Sequence, residues 1–270
     1  MDPLPGSPPS GGAAGEPVRY EVGERIAILT IDRPERRNAI DAATSVALRS
    51  ALDRFEADAG ALVAILTGSG ERAFCAGMDL KAFAAGEGPA IIEGRGGFAG
   101  MTHRPRTKPV IAAVNGAALA GGCEIVLACD LAVAAEHAVF GFPEVKRGLF
   151  AASGGVLRLP RLIPRAAALE LLLTGDVIDA RTALGLGLIN RVVPAGELLE
   201  SARGLALSIA ANAPLAVRET LALAHAVFSL PERELQARND EAWARIAASE
   251  DAREGPRAFA EKRPPRWKAR

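Results

Sequence analysis

Two glutamates of the sequence have surroundings that favour chemistry over solvation. Glu124 lies between Ala120-Gly-Gly-Cys123 and Ile125-Val-Leu-Ala128, a small and apolar setting that an ordinary solvated glutamate avoids. Glu144 follows later in the chain, directly after a Phe-Pro pair. Such a pair can divide acid and base work, one carboxylate activating water and the other delivering a proton to carbon, provided that they titrate as a coupled pair. The simpler interpretation, a helix-start charge and a surface loop residue, accounts less well for the apolar setting of Glu124.

Two glycine turns could supply hydrogen-bond donors for negative charge. They are Cys75-Ala-Gly-Met78 and Leu119-Ala-Gly-Gly122, and each follows an apolar run. A glycine turn that leads into a helix leaves backbone N–H groups unpaired at the positive end of the helix. We therefore expect the N–H groups of Met78 and Gly121 to converge on one enolate-type oxyanion, where the loss of one donor typically costs roughly 3 kcal/mol. Either turn alone is more often a place where glycine serves backbone conformation; the two together favour a function.

The elements that must position these residues alternate between strands and helices. Continuous apolar runs at 61–67 and 110–114 predict buried strands. Asp41 is a suitable N-cap for an amphipathic helix, and Asp79 can cap a short helix after the first glycine turn. Buried strands that alternate with helices indicate an α/β protein with a parallel core.

Two further regions differ from this alternation. Residues 84–100 are glycine-rich and weakly patterned, which predicts a mobile segment over a site. The final third of the chain is helical in pattern, and no linker separates it from the rest. Its predicted helices span 196–211, 214–228, 231–248 and 250–262.

The bulk properties exclude several classes of protein. The chain has 270 residues and a formal net charge of zero, which argues against a nucleic-acid-binding or polybasic membrane protein. Its three cysteines lack metal-ligand spacing, as is typical of a reduced intracellular protein. Residues 1–17 predict a flexible tail without the regions of a signal peptide, and no apolar run approaches bilayer-spanning length. We therefore expect a cytoplasmic protein that binds no metal, nucleic acid or membrane.

Competing motifs fail on their context. The segment Gly68–Ala73 matches a dinucleotide fingerprint after a strand, but no helix opens there to receive a pyrophosphate. Gly122-Cys123 stands where a P-loop requires Lys-Ser/Thr. Ser153 lacks a nucleophile-elbow context and is better explained as a helix N-cap. The histidines have no metal-type partner three or four residues away; they are His103, His137 and His225.

Taken together, the motifs resemble those of the crotonase, or enoyl-CoA hydratase/isomerase, superfamily. They run in the family's order and spacing, and the resemblance covers about residues 18–270. The matching segments are Arg37-Asn-Ala39, Ala73-Phe-Cys-Ala-Gly-Met-Asp79, Lys108-Pro-Val-Ile-Ala-Ala-Val-Asn-Gly116, Ala120-Gly-Gly-Cys-Glu124, Phe142-Pro-Glu144 and Ser153-Gly-Gly155.

The resemblance implies a crotonase-type spiral of ββα units over residues 18–195, which binds acyl-CoA. It implies a helical region over 196–270 that forms trimers or dimers of trimers. The thioester carbonyl oxygen would lie between the N–H groups of Met78 and Gly121, and Glu124 and Glu144 match both glutamates of the hydratases. The implied reaction is syn addition of water across the 2,3 double bond of a 2-enoyl-CoA, or its reverse, with Glu144 as the better proton donor to C2.

The resemblance also implies a path for coenzyme A, which is part of the substrate, so that no separate cofactor is expected. The loop 36–39 and Ala76 would line this path, and a C-terminal helix would reach the coenzyme A of a neighbouring subunit. The substrate-binding residues implied in this way are Arg36, Arg37, Ala39, Ala76, Met78, Asp79, Leu80, Gly121, Phe259 and Lys262.

Three alternatives to a general enoyl-CoA hydratase stay open. The segments 154–160 and 249–263 resemble the carnitinyl-CoA dehydratase branch, which hydrates crotonobetainyl-CoA. The others are a Δ3,Δ2-enoyl-CoA isomerase and a non-catalytic acyl-CoA-binding protein. Two departures from the family pattern matter. Ala120 replaces a common glycine, which is tolerable if its φ stays negative, and Met78 is bulkier than the usual alanine, which favours short acyl chains.

Overall fold

The computed structural model of the protein describes residues 15–270, which contain two β-sheets. In chain order the strands are β1 (Val18–Gly23), β2 (Ile26–Ile31), β3 (Val63–Gly68), β4 (Ala73–Cys75), β5 (Val110–Val114), β6 (Ala117–Leu119), β7 (Leu131–Ala135), β8 (Val139–Gly141), β9 (Val177–Asp179) and β10 (Arg191–Val193). The larger sheet has the order β1-β2-β3-β5-β7-β10 and is parallel except between β1 and β2. The smaller has the order β4-β6-β8-β9.

Eleven α-helices connect and cover the strands of the described residues. They are α1 (Ala42–Ala57), α2 (Leu80–Ala82), α3 (Gly88–Ile92), α4 (Gly121–Ala128), α5 (Gly155–Leu162), α6 (Arg165–Thr174), α7 (Ala180–Leu186), α8 (Leu198–Ala210), α9 (Pro214–Ala226), α10 (Glu232–Ala248) and α11 (Asp251–Ala260). Three times the chain passes from the larger sheet to the smaller and then into helices: β3–β4, β5–β6 and β7–β8. The predicted α/β fold of ββα units is confirmed.

The larger sheet is buried on both faces, which explains why β3 and β5 are continuous apolar runs. On one face lies the main core, which includes Leu48, Leu52 and Phe55 of α1. The other face packs against apolar residues of α8 that recur every four positions and so form one side of the helix. These residues are Leu198, Ala202, Ala206 and Ala210. Because α8 shares this core with the strands, the first helix of the predicted helical region is packed on the sheet itself.

Predicted helix caps hold the start of two helices. Asp41 accepts a hydrogen bond from the Thr44 N–H at 2.8 Å and begins α1, as expected. Asp79 accepts bonds from the N–H groups of Lys81 and Ala82 and begins α2. Both predictions are confirmed, and the second helix start directly follows the first glycine turn.

Two buried asparagines hold the crossing from β3 to β4. The Asn38 amide donates to the carbonyl oxygen of Ala73 at 2.7 Å, and Asn115 donates to that of Gly70 at 2.6 Å. The Asn115 side-chain oxygen accepts from the Gly68 N–H at 3.1 Å. The segment that matched a dinucleotide fingerprint is therefore a strand-to-strand turn, and no helix begins there.

The segment 84–100 has more regular structure than its glycine content predicted. It contains α3 and a helical turn at Phe98–Gly100. Ile91 and Phe98 are buried in the main core, and the Ser45 hydroxyl donates to the Ile91 carbonyl oxygen at 3.3 Å. The mobility of this segment stays a prediction.

The C-terminal part of the described chain is helical, as predicted, from α8 to α11. Trp267, which follows α11, donates from its indole Nε1 to the Ala211 carbonyl oxygen at 2.7 Å and so joins the chain end to the end of α8. No helix within residues 15–270 is both long and apolar enough to cross a bilayer. Most of the predicted tail, residues 1–14, lies outside the described residues.

Candidate active site

The two predicted glycine turns lie against each other. Gly77 has a φ of +91°, and a side-chain carbon there would lie 3.0 Å from the Gly121 nitrogen and 3.0 Å from the Leu119 carbonyl oxygen. A side chain on Gly122 would overlap the Cys75 carbonyl oxygen. The backbones therefore approach closely at two points. Glycine is required at Gly122 because the obstructing atom belongs to the main chain, and at Gly77 because its φ is positive.

This contact leaves two N–H groups available beside each other. Met78 pairs with Ile40 in a short parallel bridge through the Gly77 carbonyl and the Asp79 N–H, so its own N–H is not used. The Gly121 N–H is at the start of α4, where no intrahelical acceptor exists. Within residues 15–270 neither N–H donates a hydrogen bond. The structure thus brings together the two predicted donors.

Phe98 packs against the α-carbon of Gly121, the residue that carries the second of these donors. Its ring is 2% exposed, and its Cε1 would lie 2.5 Å from a side-chain carbon on Gly121. The segment that was predicted to lie over a site therefore does contact the glycine turn. Sequence reasoning did not single out Phe98, because nothing in a weakly patterned segment marks the one aromatic ring that turns inward.

Ala120 contradicts the expectation of a negative φ. Its φ is +52° and its ψ is −128°, a conformation that favours glycine. The chain must turn sharply here to leave β6 and begin α4 while its neighbours touch Gly77. The expectation was wrong because that turn is imposed by the contact between the two glycine segments, which the local sequence does not reveal.

Ala120→Gly is consequently expected to stabilise the protein. Relief of the left-handed strain should raise the free energy of unfolding by about 1 kcal/mol, measured by urea denaturation, with catalytic activity retained. Ala118→Gly in β6 is the matched control and should destabilise, because its buried side chain is lost without relief of strain. A less stable Ala120→Gly variant would contradict the strain at this position.

Glu124 lies in the first turn of α4 and is only 3% exposed. Its Oε1 accepts a hydrogen bond from the Gly155 N–H at 2.9 Å. Burial, with a smaller contribution from the negative charge of Glu144, raises the pKa of Glu124 to about 7 despite this hydrogen bond. The carboxyl group can therefore take up or release a proton near neutral pH.

Glu144 lies in the turn Pro143–Arg147, where the chain leaves β8. Neither of its carboxylate oxygens is accessible to solvent or hydrogen-bonded within residues 15–270. Burial raises the pKa of Glu144 above its ordinary value. Burial of a carboxylate without hydrogen-bond donors is costly, and such a cost is typical of a functional group.

The two carboxyl groups form an electrostatically coupled pair. The charge of Glu144 acts on Glu124, and both charges act on the Cys123 thiol. The negative charge of Glu144 therefore disfavours ionisation of Glu124, so that the two groups do not ionise independently. The structure thus brings together the two predicted glutamates, and the arrangement can deprotonate one atom of a ligand while protonating another.

The buried charge at Glu124 should make stability depend on pH. A folded pKa of about 7, above the ordinary 4.5, means that the folded state loses stability as pH rises from about 4.5 to 7. Glu124→Gln removes this loss. The free energy of unfolding of the variant, measured by urea denaturation, should therefore rise relative to that of the wild type by up to about 3 kcal/mol between pH 4.5 and pH 8. Glu136→Gln, at an exposed position, should show no such gain. A constant difference across this pH range would contradict the raised pKa.

Backbone hydrogen bonds join the predicted coenzyme A loop to the first glycine turn. The Ala76 N–H donates to the Arg37 carbonyl oxygen at 3.1 Å, and the Ile40 N–H donates to that of Gly77 at 2.8 Å. Asp79 donates back to the Ile40 carbonyl oxygen at 2.8 Å. The structure therefore brings the loop that carries Arg37 beside the Met78 donor.

A guanidinium holds the other side of this loop. Arg33 donates to the Ala39 carbonyl oxygen at 2.5 Å and forms ion pairs with Asp41 at 2.8 Å and Asp79 at 3.4 Å. Asp79 is therefore engaged in helix capping and an ion pair. The remaining predicted residues here have exposed side chains that could meet a ligand: Arg36, Arg37 and Leu80.

Phe259 and Lys262 lie apart from this group. Phe259 is 87% exposed near the end of α11, and Lys262 is exposed just beyond it. Among the described residues, α11 packs chiefly against α10. The structure of one chain does not bring these two residues to the glycine turns, and their contact with a neighbouring subunit's ligand stays a prediction.

The predicted cap at Ser153 is wrong. The N-cap of α5 is Gly154, and no side chain caps this helix. The segment instead serves the site through its backbone, because the Gly155 N–H reaches Glu124. Sequence reasoning used Ser153-Gly-Gly155 only as a family motif and assigned no role to Gly155, since the distant acceptor is visible only in the fold. No group of three His, Cys, Asp or Glu side chains within residues 15–270 could hold a metal ion.

Comparison with known proteins decides the family. The family model described as enoyl-CoA hydratase/isomerase matches residues 21–270. The chain belongs to the enoyl-CoA hydratase/isomerase family. Its fold is accordingly the crotonase fold, which the resemblance of its motifs had implied.

Members of the family with similar sequences have more than one name. The chain is 48% identical to the carnitinyl-CoA dehydratase of Salmonella typhi over 247 residues, 90% of this chain and 94% of that protein. Its sequence is 49% identical to that of the enoyl-CoA hydratase from Mycobacterium tuberculosis, whose crystal structure is known. The two structures have a TM-score of 0.90 over 94% of this chain and all of that one. Carnitinyl-CoA hydratase from Mycobacterium avium is 45% identical, with a TM-score of 0.75 over 94% of this chain and 99% of that one.

Proposed function

We propose that the protein reversibly adds water, with syn stereochemistry, across the 2,3 double bond of a 2-enoyl-CoA thioester. The observation that carries this proposal is the coupled, buried pair of Glu124 and Glu144 beside two unused backbone donors. Hydration needs one group to deprotonate water and another to protonate carbon, whereas binding alone would need no buried carboxylate pair. The family's activity in hydration and isomerisation supports the same chemistry.

In this mechanism the thioester carbonyl oxygen accepts hydrogen bonds from the Met78 and Gly121 N–H groups. A water molecule held by the two carboxyl groups loses a proton to ionised Glu124 while its oxygen bonds to C3. The π electrons of the double bond move onto the thioester oxygen, and the two donors stabilise the resulting enolate. Protonated Glu144 then delivers its proton to C2, which restores the carbonyl. The reverse sequence removes water from a 3-hydroxyacyl-CoA.

The hydrogen bonds support this division of roles. Glu124 accepts the Gly155 N–H, which favours its ionised form as a base. Glu144 accepts no hydrogen bond within residues 15–270, so it is better suited to hold the proton that the pair shares. After one turnover the proton taken up by Glu124 must return to Glu144, directly or through the next water.

For the acyl group, the relatives favour the carnitinyl-CoA and crotonobetainyl-CoA pair over a plain straight chain. The relatives from Salmonella typhi and Proteus mirabilis, each 48% identical to this chain, are named carnitinyl-CoA dehydratase, and the motifs at 154–160 and 249–263 point to the same branch. Met78 beside the carbonyl site also favours a short acyl chain. Hydration of crotonyl-CoA and of crotonobetainyl-CoA uses the same four groups and differs only beyond C3.

Coenzyme A enters as part of the substrate, and we propose no resident cofactor. The loop with Arg36 and Arg37 offers exposed cations for its phosphates, next to the first glycine turn. An assembly of three chains, or of two such trimers, would bring Phe259 and Lys262 to a neighbour's coenzyme A. Sedimentation of the protein with and without acyl-CoA tests the assembly.

The proposed function is tested with a panel of enoyl-CoA thioesters. Hydration is measured by the loss of the absorbance of the double bond conjugated to the thioester. We expect hydration of short substrates, with crotonobetainyl-CoA preferred to crotonyl-CoA and to longer chains. Turnover of none of them, with intact acyl-CoA binding, would indicate a binding protein instead. Conversion of a 3-enoyl-CoA to the 2-enoyl isomer without hydration would indicate an isomerase, in which Glu124→Ala and Glu144→Ala should have unequal effects.

A further inference from the structure

Arg158 of α5 joins three segments around the carboxylate pair. Its Nη1 donates to the Ser153 carbonyl oxygen at 3.3 Å, and its Nη2 donates to that of Thr102. The guanidinium occupies the space where a side chain on Gly154 would lie. Arg158 therefore fixes the turn before α5 to the segment that carries Phe98.

This turn is the one that presents its N–H to Glu124. Gly155 is in direct contact with the Glu124 carboxylate, through its N–H at 2.9 Å, and its α-carbon packs against Ala151. A side-chain carbon on Gly155 would lie 3.2 Å from Glu124 Oε1, so the approach is close. Any displacement of the 153–155 backbone would move this donor away from the carboxylate.

The charge of Arg158 also acts on Glu124. Arginine stays protonated in proteins, so its guanidinium favours the ionised form of the nearby Glu124 carboxyl group. Burial lowers the pKa of Arg158 and the nearby Glu124 opposes that effect, which shows that the two charges act on each other. Without the guanidinium, the pKa of Glu124 would lie higher, and less of this carboxyl group would be ionised near neutral pH.

Other charged or titratable groups near Glu124 do not replace this charge. Cys123 and Cys75 are buried thiols whose pKa burial raises. Arg161, one turn further along α5, has an exposed side chain. Arg106 acts on Arg158 but is itself paired with Asp130 at 2.8 Å. On the turn that carries Glu144 the cations Lys146 and Arg147 are exposed, and Lys146 is paired with Asp176.

We infer that Arg158 is a positioning residue for hydration: it holds the Gly155 N–H on Glu124 and supplies the positive charge that keeps one carboxyl group of the pair ionised. This inference rests on the proposed function for its catalytic consequence. Its electrostatic part concerns the carboxyl group alone and can be measured without turnover.

The test compares four variants by carbon-13 NMR titration of protein labelled at the glutamate carboxyl carbons, with Glu124 assigned from the Glu124→Gln spectrum. Arg158→Met removes charge and donors, Arg158→Gln keeps one donor without charge, and Arg158→Lys keeps the charge. We expect the titration of Glu124 to move up by about 1 to 3 pH units in the first two and little in the third. Arg161→Met is the matched control and should leave the titration of Glu124 unchanged.

The same variants, assayed on the best enoyl-CoA of the panel, give the catalytic readout. The acidic limb of the kcat/KM profile should move to higher pH in Arg158→Met and Arg158→Gln, with at least about a tenfold loss at pH 7 that narrows as pH rises. Unchanged Glu124 titration in both variants would overturn the inference even if hydration is confirmed. If the Glu124 titration shifts in these variants but the wild-type protein hydrates no substrate, the result contradicts the proposed function. The electrostatic role of Arg158 is then still supported. Arg158→Gln serves in place of Arg158→Met if the latter fails to fold.

Discussion

Replacement of Glu124 or Glu144 by glutamine is expected to lower kcat for hydration by about 10²- to 10⁴-fold, because each change removes one proton-transfer group from the pair. Glutamine keeps the size of the side chain and still offers an oxygen to the Gly155 N–H. The dissociation constant for a saturated acyl-CoA should change little, since the proposed coenzyme A path uses other residues. Steady-state kinetics and isothermal titration of the two variants give both quantities.

The double variant sharpens this prediction. If the two carboxyl groups act as one unit, Glu124→Gln/Glu144→Gln should be no slower than the slower single variant within a few-fold. Glu136→Gln, an exposed carboxylate at the end of β7, is the matched control and should retain wild-type kinetics. Full activity in either single variant would remove that residue from the mechanism.

Gly122→Ala should have the largest effect on stability. A side-chain carbon on this residue would overlap the Cys75 carbonyl oxygen, which is main chain and cannot rotate away. The two glycine turns would have to separate, and with them the Met78 and Gly121 donors. We expect the free energy of unfolding to fall by more than about 4 kcal/mol, or the chain to fail to fold, as measured by urea denaturation and yield of soluble protein.

Two comparisons separate this clash from a general effect of alanine. Gly204→Ala in α8, where a side chain would meet nothing within 4 Å, should stabilise by about 1 kcal/mol. The atoms nearest to the side chain of Gly121→Ala would belong to the Phe98 ring, so Phe98→Leu should restore part of its stability, whereas no side-chain change at Cys75 should rescue Gly122→Ala. A Gly122→Ala protein of wild-type stability would contradict the close approach of the two turns.

Much of the fold could be predicted because its signals are local. β3 and β5 are apolar on both faces and appear as continuous runs, while Asp41 and Asp79 carry the side-chain oxygens that begin helices. β6 escaped prediction because Ala117–Leu119 is three residues long and has no pattern of its own. Such a strand exists through its pairing with β4 and β8, which the local sequence does not encode.

Some residues of the candidate site could likewise be predicted from the local sequence, and others could not. Glu124 and Gly121 could be found because a charge among small apolar residues and a glycine pair are visible in the sequence. The conformation of Ala120, the N–H of Gly155 and the ring of Phe98 could not, because each depends on a contact between segments that are remote in the chain. The family resemblance supplied motifs at these places without their geometry.

In the proposed mechanism both carboxyl groups act from one side of the substrate, so that the oxygen of water and the proton reach the same face of the double bond. Hydration of the preferred enoyl-CoA in D₂O, with the product analysed by proton NMR, measures this directly. We expect one deuterium at C2, on the same face as the new hydroxyl group at C3. Deuterium on the opposite face, or exchange at carbon without addition of water, would contradict it.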